Sequence, residues 1–312
     1  MKYKPNKLKP NDKIGLVCPA FKNPDLSSTK RAVEYLKSKG YQIKVGETCY
    51  ASEGYLAGSD FLRAKDLEKM FLDDEVKAII CMRGGYGASR MVDLIDYDII
   101  KAHPKLFVGY SDITVLLNAI YHKAKVPTIH GMVGFAFGTE KFVGASEDDF
   151  WELMTKDQKN RILKDPFNNV KTLIGGSCCG ELVGGNLSLL ATMIASDYGA
   201  DFTDKILFIE EVEEEPYKLD RYFSVLRLSG KLEKVKGFIF GYFTECEPTE
   251  KRKGTQTYID LIKEYFAHYQ KPMIYDFPSG HSYPFINLPI GIEVRLDADE
   301  KSITILEELY QK

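Results

Sequence analysis

From Lys13 to Met132 short apolar segments alternate with amphipathic ones, and this alternation limits the possible folds more than any other feature of the chain. KIGLVCPA (Lys13 to Ala20) precedes STKRAVEYLKSKG, whose apolar residues recur on one helical face up to Gly40, a residue suited to a helix end. YQIKVGE then reads as a strand and DFLRAKDLEKMFLDD as a helix. VKAIICMRGG (Val76 to Gly85) is a buried strand by its β-branched content, and it leads into YGASRMVDLI. KLFVGYS and DITVLLNAIYHKA repeat the pattern, and VPTIHGM adds a further strand. Strands separated by helices predict an α/β domain with a mostly parallel sheet, whose site lies at the carboxyl ends of its strands.

Past this region the pattern shifts. The polar stretch 141–172, with its Lys, Asp and Asn clusters, reads as a linker between an N-terminal domain (1–140) and a C-terminal domain (173–312). In the latter, CCGELVGGN, KILFIEEV, GFIFGYF and MIYDF read as strands, and NLSLLATMIASDYG, RYFSVLRLSGKL and TYIDLIKEYFAHYQ as helices. EVRLDADEKSITILEEL predicts a hairpin turning at DADEKS, so the second domain is α+β. Trp151, the single tryptophan, sits at helical spacing in EDDFWELM and reads as the aromatic edge of a packed helix.

A chain of 312 residues can build two full cores. With 44% hydrophobic and 28% charged residues and a formal net charge of −3, it has the composition of a soluble globular protein, with nothing to recruit nucleic acid. The basic run KRKG (Lys251 to Gly254) reads as a solvated loop. Ile14 to Cys18 is too short for the core of a signal peptide, and no apolar run could span a bilayer. Six scattered cysteines, with no CxxC pair and no zinc spacing, predict reduced thiols in a cytoplasmic protein.

Chemistry concentrates at a few positions. In LFVGYSDITVL, Ser111 stands between a strand and a helix expected from Asp112, with Gly109 two residues earlier to allow a sharp turn. The context suits a nucleophile elbow, although Ile113 replaces the last glycine of G-x-S-x-G, and it equally suits a helix cap. A serine nucleophile needs a base. Among five histidines, His103, His122 and His268 read as solvent-exposed, and His130 ends a strand. His281 lies in the Gly/Pro-rich loop DFPSGHSYPFINLPIG, where either a catalytic group or a plain turn residue fits. Glu210 follows the apolar run KILFI, where a carboxylate needs a partner, whereas Glu213 to Glu215 read as a solvated loop. RGGYGASR lacks dinucleotide spacing, so its Gly85 amide reads as an oxyanion donor together with that of Asp112, or as part of a tight turn. Arg83, beside this glycine turn, is more often a surface arginine held in an ion pair than a ligand-binding group.

Taken together, CPA after the first strand, RGGYGASR, GYSDIT, GGNLSLL, LFIEEVEEEPYKLDR and SGH…LPIG resemble the LD-carboxypeptidase family of serine peptidases, the S66 type, which also contains the microcin C self-immunity peptidases. The resemblance implies a cytoplasmic homodimer, without metal or cofactor, that removes the terminal D-alanine of murein tetrapeptides at an L-to-D amide bond. It implies Ser111 as nucleophile, Glu210 as acid, His281 as base and the Gly85 and Asp112 amides as oxyanion hole, in a cleft between the domains. The family's histidine-glycine segment often continues with proline; here Met132 follows His130-Gly131, and His130 has no assigned role. Two other readings compete: hydrolysis of a peptide–nucleotide conjugate, with Trp151 stacking on the base, and a two-domain binding protein without catalysis.

Overall fold

A computed structural model describes residues 2–250 and 254–311, so Lys251 to Lys253 of the basic run lie outside the described residues. The chain divides into two compact units. The first runs to Gln158 and includes Asn287–Gly291 and the chain end from Glu308; the second holds Lys159–Ile286 and Ile292–Glu307.

In the first unit, β1 (Lys13–Val17), β2 (Gln42–Val45), β3 (Val76–Cys81), β4 (Leu106–Gly109) and β5 (Thr128–His130) alternate with helices α1 (Leu26–Ser38), α2 (Asp60–Leu72), α3 (Ala88–Met91), α4 (Tyr97–Ala102) and α5 (Thr114–Ala124). The five strands are parallel, in the order β5-β4-β3-β1-β2. The expected parallel sheet is thus present, and its middle strands are as dry as parallel strands must be: Ile79, Ile80, Phe107 and Val108 expose no surface. The YGASRMVDLI segment folds as two short helical pieces. α3 gives way to a 3₁₀ turn at Val92–Leu94, and a new helix starts where the Asp96 carboxylate accepts from the Asp98 amide.

The stretch 141–172 contains α6 (Ala145–Thr155), β6 (Ile162–Lys164) and the start of β7 (Lys171–Ile174). In α6, Phe150, Leu153 and Met154 suffice to bury one face, while Glu147 and Asp148 favour its first turn. Trp151 stacks on Tyr41 at 5.2 Å and donates to the Tyr35 hydroxyl at 2.8 Å, as a packed aromatic edge should.

The second unit continues with β8 (Ser177–Asn186), α7 (Leu187–Met193), β9 (Ile206–Val212), α8 (Pro216–Leu228), β10 (Gly237–Thr244), α9 (Tyr258–Phe266) and β11 (Met273–Tyr275). β12 (Leu288–Ile290) then joins the sheet of the first unit, antiparallel to β5, before β13 (Glu293–Asp297) and β14 (Ser302–Ile305) form the expected hairpin. The second sheet is mixed, ordered β6-β14-β13-β8-β9-β10-β11-β7, with β8 to β11 parallel. Among the described residues no helix is long and apolar enough to cross a membrane.

Gly184 shows how tightly β8 approaches β9. Its φ is +126°, and a Cβ there would stand 1.9 Å from the Phe208 carbonyl oxygen. Gly40, after α1, has φ +87° but open space around it. Gly40→Ala should therefore cost about 1 kcal/mol, from backbone conformation alone. Gly184→Ala should cost about 3 kcal/mol or more, because a central pair of strands must separate. Urea midpoints of the two variants test this; equal losses would refute the close approach.

Candidate active site

Ser111 occupies the turn that ends β4. Tyr110 is extended (φ −153°), Ser111 flips to φ +63°, and a 3₁₀ turn over Ser111–Ile113 leads into α5. The helix proper begins at Thr114, two residues later than the sequence suggested, and its N-cap position, Ile113, makes no side-chain cap bond. The serine is therefore not serving as the cap. Left-handed backbone in a residue with a Cβ costs about 1–2 kcal/mol, and such strain concentrates at functional sites.

Two glycines make room for this turn. A Cβ on Gly109 would lie 2.7 Å from Ile113 Cγ2, so the fully buried isoleucine occupies the space a side chain at 109 would need. This is how the elbow accommodates Ile113 in place of the motif's last glycine. A Cβ on Gly84 would lie 2.8 Å from Ser111 Cβ and 3.1 Å from its Oγ. The glycine turn after β3 thus rests directly on the serine, with Gly85 (φ +111°) one residue beyond.

The side chain of Asp112 locks the two turns together, a role that sequence reasoning missed by considering only its amide. The carboxylate is 1% exposed, and Oδ2 accepts from the Ala88 amide at 2.8 Å. Burial pushes its pKa up to about 6, against the pull of the Ala88 amide and the Arg63 charge. Arg63, also missed, is 1% exposed; its Nη1 donates to the Pro19 and Gly87 carbonyls at 2.6 and 2.8 Å, while Nη2 pairs with Asp60. A signal existed: Arg63 falls on the apolar face of α2 beside Ala64 and Leu67, where a charge demands partners.

The second unit contributes a carboxylate and a histidine. Glu210 and Glu211 are consecutive in β9 and so point to opposite faces of the sheet. Glu210 exposes no surface, and its Oε2 lies 2.7 Å from His281 Nδ1. Burial alone would lower the imidazole pKa, but the charge and hydrogen bond of Glu210, aided by Glu211 and Glu213, outweigh it and raise the value. The loop bearing His281 is fastened to β10: the Phe277 amide donates to the Phe240 carbonyl, and the Tyr242 amide to that of Ser279, both at 3.0 Å. At Gly280 (φ +128°) a Cβ would come within 3.1 Å of Glu210 Cβ, so the loop can lie against the acid only without a side chain there. On the other face, Glu211 accepts from Asn186 Nδ2 at 2.5 Å and from the Ser188 amide at 2.8 Å. Burial, and then the charge of Glu210, push it up to about 7.

Ser111, Gly85 and Asp112 therefore stand in the first unit, Glu210 and His281 in the second. His130 is fully buried in β5, edge-on to Tyr110 at 6.0 Å. Among the described residues no group of three His, Cys, Asp or Glu side chains could hold a metal ion.

Residues 14–131 match the family model for the LD-carboxypeptidase N-terminal domain, and residues 179–296 that for the LD-carboxypeptidase C-terminal domain. The chain is 35% identical over 306 residues to the probable murein peptide carboxypeptidase of Bacillus subtilis (strain 168), covering 98% of this chain and 95% of that protein. It is 27% identical over 306 residues to the microcin C7 self-immunity protein MccF of Escherichia coli, covering 89% and 88% of the two chains. The crystal structure of the muramoyltetrapeptide carboxypeptidase from Oxalobacter formigenes matches with a TM-score of 0.84 at 26% identity, over 96% of this chain and all of that one. With both halves matched and a relative this similar over nearly its whole length, the chain belongs to the LD-carboxypeptidase family of serine peptidases, the S66 type, and is an enzyme of that class.

Proposed function

We propose that this enzyme removes the terminal D-alanine from murein tetrapeptides by hydrolysing the L-to-D amide bond, with Ser111, His281 and Glu210 as its catalytic triad. The observation that carries the reading is the strained elbow: a serine with φ +63° at the end of a parallel strand, covered by a glycine turn and not used as a cap. The buried Glu210–His281 pair supports it, since an imidazole held at Nδ1 by a carboxylate is basic at Nε2. The similarity to the Bacillus murein peptide carboxypeptidase and the Oxalobacter muramoyltetrapeptide carboxypeptidase supports the murein peptide as substrate.

In this mechanism His281 takes the Ser111 proton as Oγ attacks the scissile carbonyl carbon. The amides of Gly85 and Asp112 stabilise the resulting oxyanion, each contributing roughly 3–4 kcal/mol. Glu210 keeps the imidazole in the correct tautomer and stabilises the imidazolium. His281 then protonates the departing D-alanine amine, and water, deprotonated by the same imidazole, releases the acyl group from Ser111. We place the reaction in peptidoglycan recycling, in the cytoplasm, and carried out by a homodimer; the six free cysteines are consistent with a reducing compartment. The peptide–nucleotide alternative gains nothing from Trp151, whose ring is engaged by Tyr41 and Tyr35.

Mass spectrometry of tetrapeptide digests should show loss of one alanine with the wild type, and a decrease of about 10⁴-fold or more with Ser111→Ala. Cleavage by both at similar rates would exclude Ser111 as nucleophile. The pH profile gives a second test. His281 must be neutral to act as base, and its pKa is raised, so kcat/KM should fall with decreasing pH along a limb centred above the ordinary 6.5. Glu210→Gln removes the group that raises it; the limb should move to lower pH, with activity down about 10³- to 10⁴-fold. An unmoved limb would mean that another group is the base.

A further inference from the structure

We infer that Arg83 binds the free terminal carboxylate of the peptide and so confines the enzyme to chain ends, an inference that rests on the peptidase reading of Ser111. The placement of Arg83 is unusually constrained. Before it, the Met82 amide donates to the Val17 carbonyl and the Met82 carbonyl accepts from the Phe135 amide, both at 2.8 Å. After it comes Gly84, the residue that rests on Ser111. Arg83 is therefore one residue along the chain from the contact with the proposed nucleophile. In a substrate cut at its last peptide bond, the terminal carboxylate lies within one residue of the scissile carbonyl, so the group that binds it must come from a segment close to the nucleophile.

The guanidinium is held between two aromatic rings from different loops. Its central carbon lies 5.6 Å from the centre of the Phe21 ring and 6.0 Å from that of Phe135. Arg31 fixes the loop of Phe135 by donating to the carbonyls of Phe135 and Phe137 at 3.0 and 3.1 Å. Among the described residues Arg83 makes one hydrogen bond, from Nη1 to the Lys22 carbonyl at 3.1 Å, and no carboxylate pairs with it. The neighbouring arginines differ in this respect, since Arg63 and Arg90 both pair with Asp60. A half-buried, ring-clamped cation with most of its donors uncommitted matches the planar, bidentate geometry of a carboxylate.

The test compares the murein tetrapeptide ending in free D-alanine with the same peptide ending in D-alaninamide. The wild type should prefer the acid by about 100-fold in kcat/KM, and Arg83→Gln should abolish that preference, mainly through KM on the acid and with little change on the amide. Arg83→Lys should be intermediate, because it keeps the charge and loses the fork. An equal fall on both peptides would make Arg83 structural and overturn the inference. Wild-type enzyme that releases no alanine would count against the proposed substrate instead. In that case calorimetry on Ser111→Ala decides Arg83 separately: tighter binding of the acid, lost on adding Arg83→Gln, supports it, and equal or absent binding of the two peptides overturns it.

Discussion

The left-handed backbone of Ser111 depends on two positions where a side chain would collide, and much of the first unit is arranged around that fact. Gly109 yields its space to Ile113, which lets the chain double back within one turn. Gly84 lies against the serine itself, so the turn after β3 and the turn after β4 must be built as one piece. Asp112 and Arg63 hold that piece together from below, one bonded to the start of α3, the other to the Gly87 carbonyl and the loop after β1. Strain of this size persists only where the surroundings over-determine it, and here a parallel sheet, two glycines and a buried ion network do so.

The second unit solves a different problem, that of keeping carboxylates inside a protein. Two successive glutamates in β9 face opposite sides of the sheet, and each meets hydrogen-bond donors there: the His281 ring on one face, Asn186 and the first turn of α7 on the other. The two are close enough to repel each other. With Glu211 pushed up to about 7, part of its population is protonated near neutrality, which eases the repulsion. Gly280 allows the loop to approach closely enough for the contact between Glu210 Oε2 and His281 Nδ1.

The α/β alternation, the mixed second domain and the hairpin near the end were legible because each follows from hydrophobic period, which local sequence carries. Ser111, Glu210 and His281 stood out for a related reason: each is a polar residue where the local pattern calls for an apolar one or a turn. α6 was legible only from the helical spacing around Trp151, because its buried face needs no more than Phe150, Leu153 and Met154 amid many polar residues. α4, six residues long, starts from a cap at Asp96 rather than from periodicity.

By itself, then, the sequence determined most of the strands and helices, where the chain turns sharply, and which residues carry reactive groups, since these depend on neighbours along the chain. Only the tertiary structure decided that Leu288–Ile290 pairs with β5, that Gly84 lies on Ser111, that Asp112 and Arg63 join two turns, and that Arg83 is clamped between Phe21 and Phe135. Those contacts link residues from about 20 to about 160 positions apart. Their energies come from burial and close packing, which no local pattern records.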